Sequence, residues 1–101
     1  MYILNITFLV ATDTIGIWSE WVHGELIPAF IASGEFHTPQ LARVHAQTGE
    51  DGTSFALQVH SHGLDAINSW MNNQAPDMQQ VCTGRFHEKV LFFATTLELI
   101  S

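Results

Sequence analysis

Residues 18–36 read WSEWVHGELIPAFIASGEF, and the order of signals in this stretch decides the fold. Trp18 and Val22 share one helical face with the earlier Ile15, and Ile17 and Trp21 flank it. Pro28 lacks an N–H and pushes Ile27 away from helical angles, so the helix is expected to break there and to resume with Pro28 in its first turn. Gly34 suits the left-handed closing position, and Phe36 enters a strand. Apolar residues at helical spacing mark a packed side, so Trp18 and Trp21 are read as core or dimer interface rather than as a ligand wall.

Before this stretch, Tyr2 to Val10 alternates as a strand, with Tyr2, Leu4, Ile6 and Phe8 on one face and Ile3, Asn5, Thr7 and Leu9 on the other. Thr12 or Asp13 is placed to cap the helix that follows. After it, Leu41 to Ala46 and Thr53 to Ser61 read as two strands joined by the polar turn Gln47–Gly52, QTGEDG. Setting Ala46 opposite Thr53 puts Val44 against Phe55 and Ala42 against Leu57, a small-against-large match on one apolar side. Leu64, Ile67, Trp70 and Met71 then predict a short helix, interrupted at Asn72–Ala75. Pro76 opens a further segment carrying Met78, Val81, Cys82 and Phe86 on one face. Val90 to Ile100 is the last strand.

The order is β-α-β-β-α-β with the second helix split. It predicts one ferredoxin-like α+β domain over residues 1–101, a four-stranded antiparallel sheet with helices on one face. The uncovered face is expected to carry Ile3, Asn5, Thr7 and Leu9; Leu41, Arg43 and His45; Ala56, Gln58 and His60; and Phe92, Ala94, Thr96 and Glu98.

Composition bounds the function. Charged residues are 13% of the chain, about half the usual ~25%, so the surface is short of charge and a homodimer interface is expected. The net charge is −7 and the cations are Arg43, Arg85 and Lys89 alone. Phosphate binding needs clustered Lys or Arg, which argues against nucleic acid and anionic membranes as partners. The apolar start MYILNITFLVA has no basic flank and is far shorter than the ~20 residues that span a bilayer. Cys82 stands alone, so no intrachain disulfide forms and a reduced, cytoplasmic setting fits. On the apolar stripe of a helix it reads as a small buried hydrophobe rather than a nucleophile.

The residues Trp18, Trp21, Ile27, Pro28, Gly34 and Phe36, together with Pro76 and the closing FFATTLEL strand, resemble the bacterial domain of unknown function 4286 family. That family carries a tryptophan helix, a His-Ile-Pro step and a Thr-Gly-x-Phe entry to the second strand. Here Ser33 replaces the Thr and Leu26 replaces the His, so no role of that histidine carries over; His23 lies nearby but does not match the motif. The resemblance implies the dimeric α+β barrel group, in which two ferredoxin-like units pack sheet to sheet. That group includes cofactor-free and haem-degrading monooxygenases and ligand-sensing domains, so it leaves the chemistry open.

Asn5, Thr7, Arg43, His45, Gln58 and His60 are the candidate site residues, projecting from the uncovered face. They suit either the sparse polar groups that orient a ligand in an apolar pocket or the hydrogen-bonded residues of a wet interface. His60 and His62 form a His-x-His pair, with His37 and His45 as third ligands by residue type only, which falls short of a metal set. No cofactor is implied. The leading function is the binding of a small, partly apolar molecule at the sheet face or dimer interface. The alternatives are a cofactor-free or haem-dependent monooxygenase, with Asn5 and His60 polarising substrate, and a structural or protein-interaction dimer without ligand.

Overall fold

The computed structural model describes residues 1–45 and 51–100. Four strands, β1 (Tyr2–Ala11), β2 (His37–Arg43), β3 (Gly52–Ser61) and β4 (Val90–Glu98), form one antiparallel sheet in the order β2-β3-β1-β4. Between β1 and β2 lie α1 (Ile15–Trp21) and α2 (Ile27–Ala32); between β3 and β4 lie α3 (Leu64–Ser69) and α4 (Ala75–Phe86). The fold is the ferredoxin-like α+β arrangement, with both helical arms on one side of the sheet. Most of the expected turn Gln47–Gly52, and Ala46 with it, falls outside the described residues.

Central β1 shows why the core sits where it does. Its alternation buries Leu4, Ile6, Phe8 and Val10 toward the helices, beside Phe55, Leu57 and Val59 of β3. Trp18 packs its ring 5.2 Å from Phe8 and 4.7 Å from Phe55. Trp21 sits 6.4 Å from Phe8 and 5.8 Å from Phe86. Both tryptophans are therefore core residues. Val81 and Leu64, which the helical spacing assigns to the packed side, lie exposed instead.

Neither proline breaks its helix. A π-helical turn, Val22–Leu26, joins α1 to α2, and a second, Trp70–Gln74, joins α3 to α4. Each turn ends two residues before a proline, and Pro28 and Pro76 occupy the same place at the start of the next helix. Ile27 keeps helical angles (φ −60°, ψ −48°), and its N–H donates to the Val22 carbonyl five residues back. Ala75 does the same to Trp70. One extra residue in the turn widens it, which relieves the clash between a proline ring and the carbonyl four residues earlier. The split in the second helix is thus a wide turn and not a gap. Gly34 ends α2 at φ +77°, with its N–H donating to the Ile31 carbonyl at 3.1 Å. The expected cap at α1 is not made: Asp13 accepts from Thr14 (2.9 Å) and from Lys89 (2.6 Å), which ties the end of β1 to the start of β4.

Two strand faces differ from expectation. In β2 the register pairs Arg43 with Phe55, Leu41 with Leu57 and Ala42 with Ala56, one residue away from the expected pairing. A slip of one residue exchanges the faces of a strand. Leu41 therefore packs on the core, and the Arg43 guanidinium lies over the Phe55 ring on the helical side, 5.8 Å from its centroid. The pairing shifts between His37 and Gln40, where Thr38 takes φ +54° ahead of Pro39. In β4, Phe92 and Ala94 pack on the core and Phe92 meets Phe8 at 5.8 Å, so Leu91, Phe93, Thr95 and Leu97 occupy the uncovered face. Both faces of β4 are apolar, and alternation by itself does not choose between them.

Candidate functional site

Asn5, Thr7, Gln58 and His60 share the uncovered face of the sheet: Asn5 is opposite Gln58, Thr7 opposite Ala56 and Ile3 opposite His60. Arg43 does not join them, because the β2 register turns it to the helical side. His45 lies beyond the end of β2 and is exposed. Gln40 takes the place beside Gln58 that the expected register left to other residues.

Asn5 is the centre of a hydrogen-bond network on this face. Its amide nitrogen donates to Thr7 Oγ1 (3.2 Å) and Thr95 Oγ1 (3.3 Å), and its amide oxygen accepts from Gln58 Nε2 (3.1 Å). These bonds satisfy the Asn5 side-chain amide, which permits its burial at low cost. It lies within an apolar border in which Leu9 is 44% exposed, Leu91 54%, Phe93 61% and Leu97 40%. Four large apolar side chains left in water on one sheet face mark an interaction surface.

At the edge of the sheet the structure gathers three imidazoles. The His37 ring lies 5.8 Å from that of His60 and 5.0 Å from that of His62. Its Nδ1 is 2.9 Å from Thr38 Oγ1, while its Nε2 is enclosed without a hydrogen-bond partner. The rings lie tilted by 31° and 34°. Among the described residues no three His, Cys, Asp or Glu side chains are arranged to hold a metal ion.

A cleft of about 170 Å³ opens on the helical side, where the chain passes from α2 toward β2. Phe30, Phe36 and Trp70 give it three aromatic rings, Leu26, Ala29 and Met78 further apolar lining, and Ser33, Glu35 and Gln74 its polar atoms. Phe30 stands edge-on to Phe36 at 5.1 Å and is tilted by 30° to Trp70 at 5.6 Å. Leu26 and Gln74 are the last residues of the two π-helical turns, so both widened turns border the cleft. Turns of this kind occur frequently at functional sites. The Ser33 hydroxyl donates to the Phe30 carbonyl (2.7 Å) and accepts from the Glu35 N–H (3.2 Å), which fixes the loop that carries Glu35. None of the candidate residues read from the sequence lines this cleft. Its markers were present in the chain as Pro28, Pro76 and the aromatic residues beside them, but their convergence depends on how the two arms pack.

The electrostatics around the helices are simple. Arg85 of α4 makes a bidentate pair with Glu25 of the first wide turn, at 2.7 and 3.0 Å. Lys89 beside Asp13 holds that carboxyl below its ordinary 3.8, with the Thr14 hydroxyl adding to the effect. Burial pushes the Cys82 thiol up to about 11, which disarms it as a nucleophile. No helix among the described residues is long and apolar enough to cross a membrane.

Similar structures share this architecture. A dimeric ferredoxin-like protein from an uncultured marine organism superposes with a TM-score of 0.65 at 6% identity, covering 100% of this chain and 96% of that one. A mutant of MhuD with two manganese protoporphyrin IX bound per active site gives 0.58 at 17% identity, covering 98% and 95%. A putative antibiotic biosynthesis monooxygenase from Bacillus cereus gives 0.56 at 17% identity, covering 99% and 95%. At these identities the likeness shows the fold alone. A search of curated proteins by sequence finds no match. Residues 1–100 match the family model described as Domain of unknown function (DUF4286).

Proposed function

The chain belongs to the DUF4286 family of domains of unknown function, and from that premise we propose that it is a homodimeric binding protein for a small, partly apolar molecule held in the cleft between α2 and α4. The observation that carries this reading is the cleft itself: about 170 Å³, lined by three aromatic rings with polar atoms from Ser33, Glu35 and Gln74. Ligand sites combine this kind of apolar lining with a few placed polar groups. A cavity of about 150 Å³ admits benzene, so the enclosed part of the occupant is about one phenyl ring in size.

The uncovered sheet face supports the dimer. Its exposed Leu9, Leu91, Phe93 and Leu97 border the Asn5 network, and the similar marine protein is described as dimeric. On this reading Asn5, Thr7, Gln58 and His60 belong to the protomer contact rather than to a substrate. The oxygenases among the similar structures share a fold that hosts many chemistries, and no arrangement among the described residues favours that activity over binding. The free, buried Cys82 supports a reducing, cytoplasmic location.

Ligand-observed NMR with 2-phenylethanol tests the cleft. The native protein is expected to bind it, and Ala29→Phe, which fills the cleft from its exposed rim, to abolish binding without unfolding the chain. Binding that persists unchanged in Ala29→Phe would reject the cleft as the site.

A further inference from the structure

We infer that the cleft selects an organic cation: a small amine with an apolar body, its ammonium group set against Glu35. The inference rests on the ligand-binding reading of the cleft and adds the charge of its occupant.

Among the described residues no Lys, Arg or His lines the cleft, so a carboxylate or phosphate placed there would meet no cation from them. The charged group that does line it is Glu35, whose backbone is anchored by Ser33. Among the described residues the ion pairs are Arg85 with Glu25 and Lys89 with Asp13, which leaves the Glu35 carboxylate without one. Arg85 lines the groove that adjoins the cleft along Leu26, Ala29 and Met78, and Glu25 engages it in both bonds. Asp77 lines that same groove, so the approach to the cleft is acidic as well. The lining points the same way. Aromatic rings attract cations through their quadrupole, by about 0.5–1 kcal/mol at exposed sites and more where water is excluded. Three rings and one unpaired carboxylate around a space for about one phenyl ring form a site for an arylalkyl or alkyl amine. The chain's net charge of −7 favours the approach of such a cation.

Three probes of one shape separate the possibilities: 2-phenylethylammonium, 2-phenylethanol and phenylacetate, titrated against the native protein and against Glu35→Gln by ligand-observed NMR at pH 7. The amine is expected to bind at least about threefold tighter than the alcohol, and the carboxylate more weakly than both. Glu35→Gln is expected to bring the amine to within about twofold of the alcohol and to leave the alcohol unchanged. If alcohol and amine bind the native protein equally, or if Glu35→Gln spares the preference, the cation inference falls while the cleft reading stands. If none of the three binds, both fall.

Discussion

Cys82 shows how a residue's chemistry is decided by its surroundings. Its side chain is fully enclosed, and burial raises the thiol from its ordinary 9.0 to about 11. At pH 8 it is protonated and out of reach, so a thiol-specific disulfide reagent is expected to label the native protein only as fast as the chain opens, and denatured protein at once. Rapid labelling of the native protein would contradict the burial. Because the folded value lies above the unfolded one, the associated stability is present below about pH 9 and declines as pH rises toward 11. Asp13 behaves in the opposite sense: its value is depressed by Lys89, so its contribution is present above the ordinary 3.8 and is lost as pH falls below it. The burial of Cys82 was legible in the apolar stripe it shares with Met78 and Phe86. The placement of Arg43 was not. A single-residue change in the β2 register placed it off the uncovered face and over Phe55, and that register depends on the pairing with β3, distant in sequence.

At the scale of elements, the two prolines carry the clearest lesson. Pro28 was visible as a break and Pro76 as the opening of a segment, and each does perturb its helix. The perturbation is a wide turn ahead of the proline, because an added residue relieves the ring clash while the arm stays continuous and keeps Trp18, Phe30, Trp70 and Phe86 on the core. A local propensity rule registers the missing N–H. It does not register that burying an aromatic residue on either side of the proline favours continuing the helix. The same elements contain avoidable instability. Gly84 lies inside α4, and a methyl group added to it meets nothing within 4 Å. Gly84→Ala is expected to stabilise the protein by roughly 0.5–1 kcal/mol, read as a rise in the urea midpoint with an unchanged slope. Gly34 is the contrasting position, since its φ of +77° strains any side chain placed there. A loss of stability in Gly84→Ala would mean that α4 is packed differently along that face.

For the whole molecule, the question is what covers the sheet. The helices bury one face, and the other leaves Phe93 61% exposed beside Leu91 at 54%. On the dimer reading, Phe93→Glu places a charge in the middle of an apolar contact, and a buried unpaired carboxylate is strongly unfavourable. Light scattering is expected to report a dimer for the native protein at micromolar concentration and a monomer for Phe93→Glu, with the far-ultraviolet circular dichroism retained. A native monomer at that concentration would overturn the assembly. The shortage of charge in the composition pointed to such a surface, yet it was the tertiary structure that located it. The expected faces of β2 and β4 were both exchanged, so the uncovered side is more apolar than the alternation suggested.

The order of elements, the fold class, the family and the tryptophan core followed from the chain alone, because they rest on local periodicity, on Gly and Pro at element ends, and on a short run of matching residues around Pro28. Strand register and the choice of outward face did not. They are set by contacts between residues far apart in sequence, Phe92 on Phe8 and Leu41 beside Leu57, and a period of two offers both solutions equally. The cleft belongs to the same class of fact. Phe30, Phe36 and Trp70 come together only when the two helical arms pack side by side on the sheet, a convergence that no single stretch of the sequence encodes.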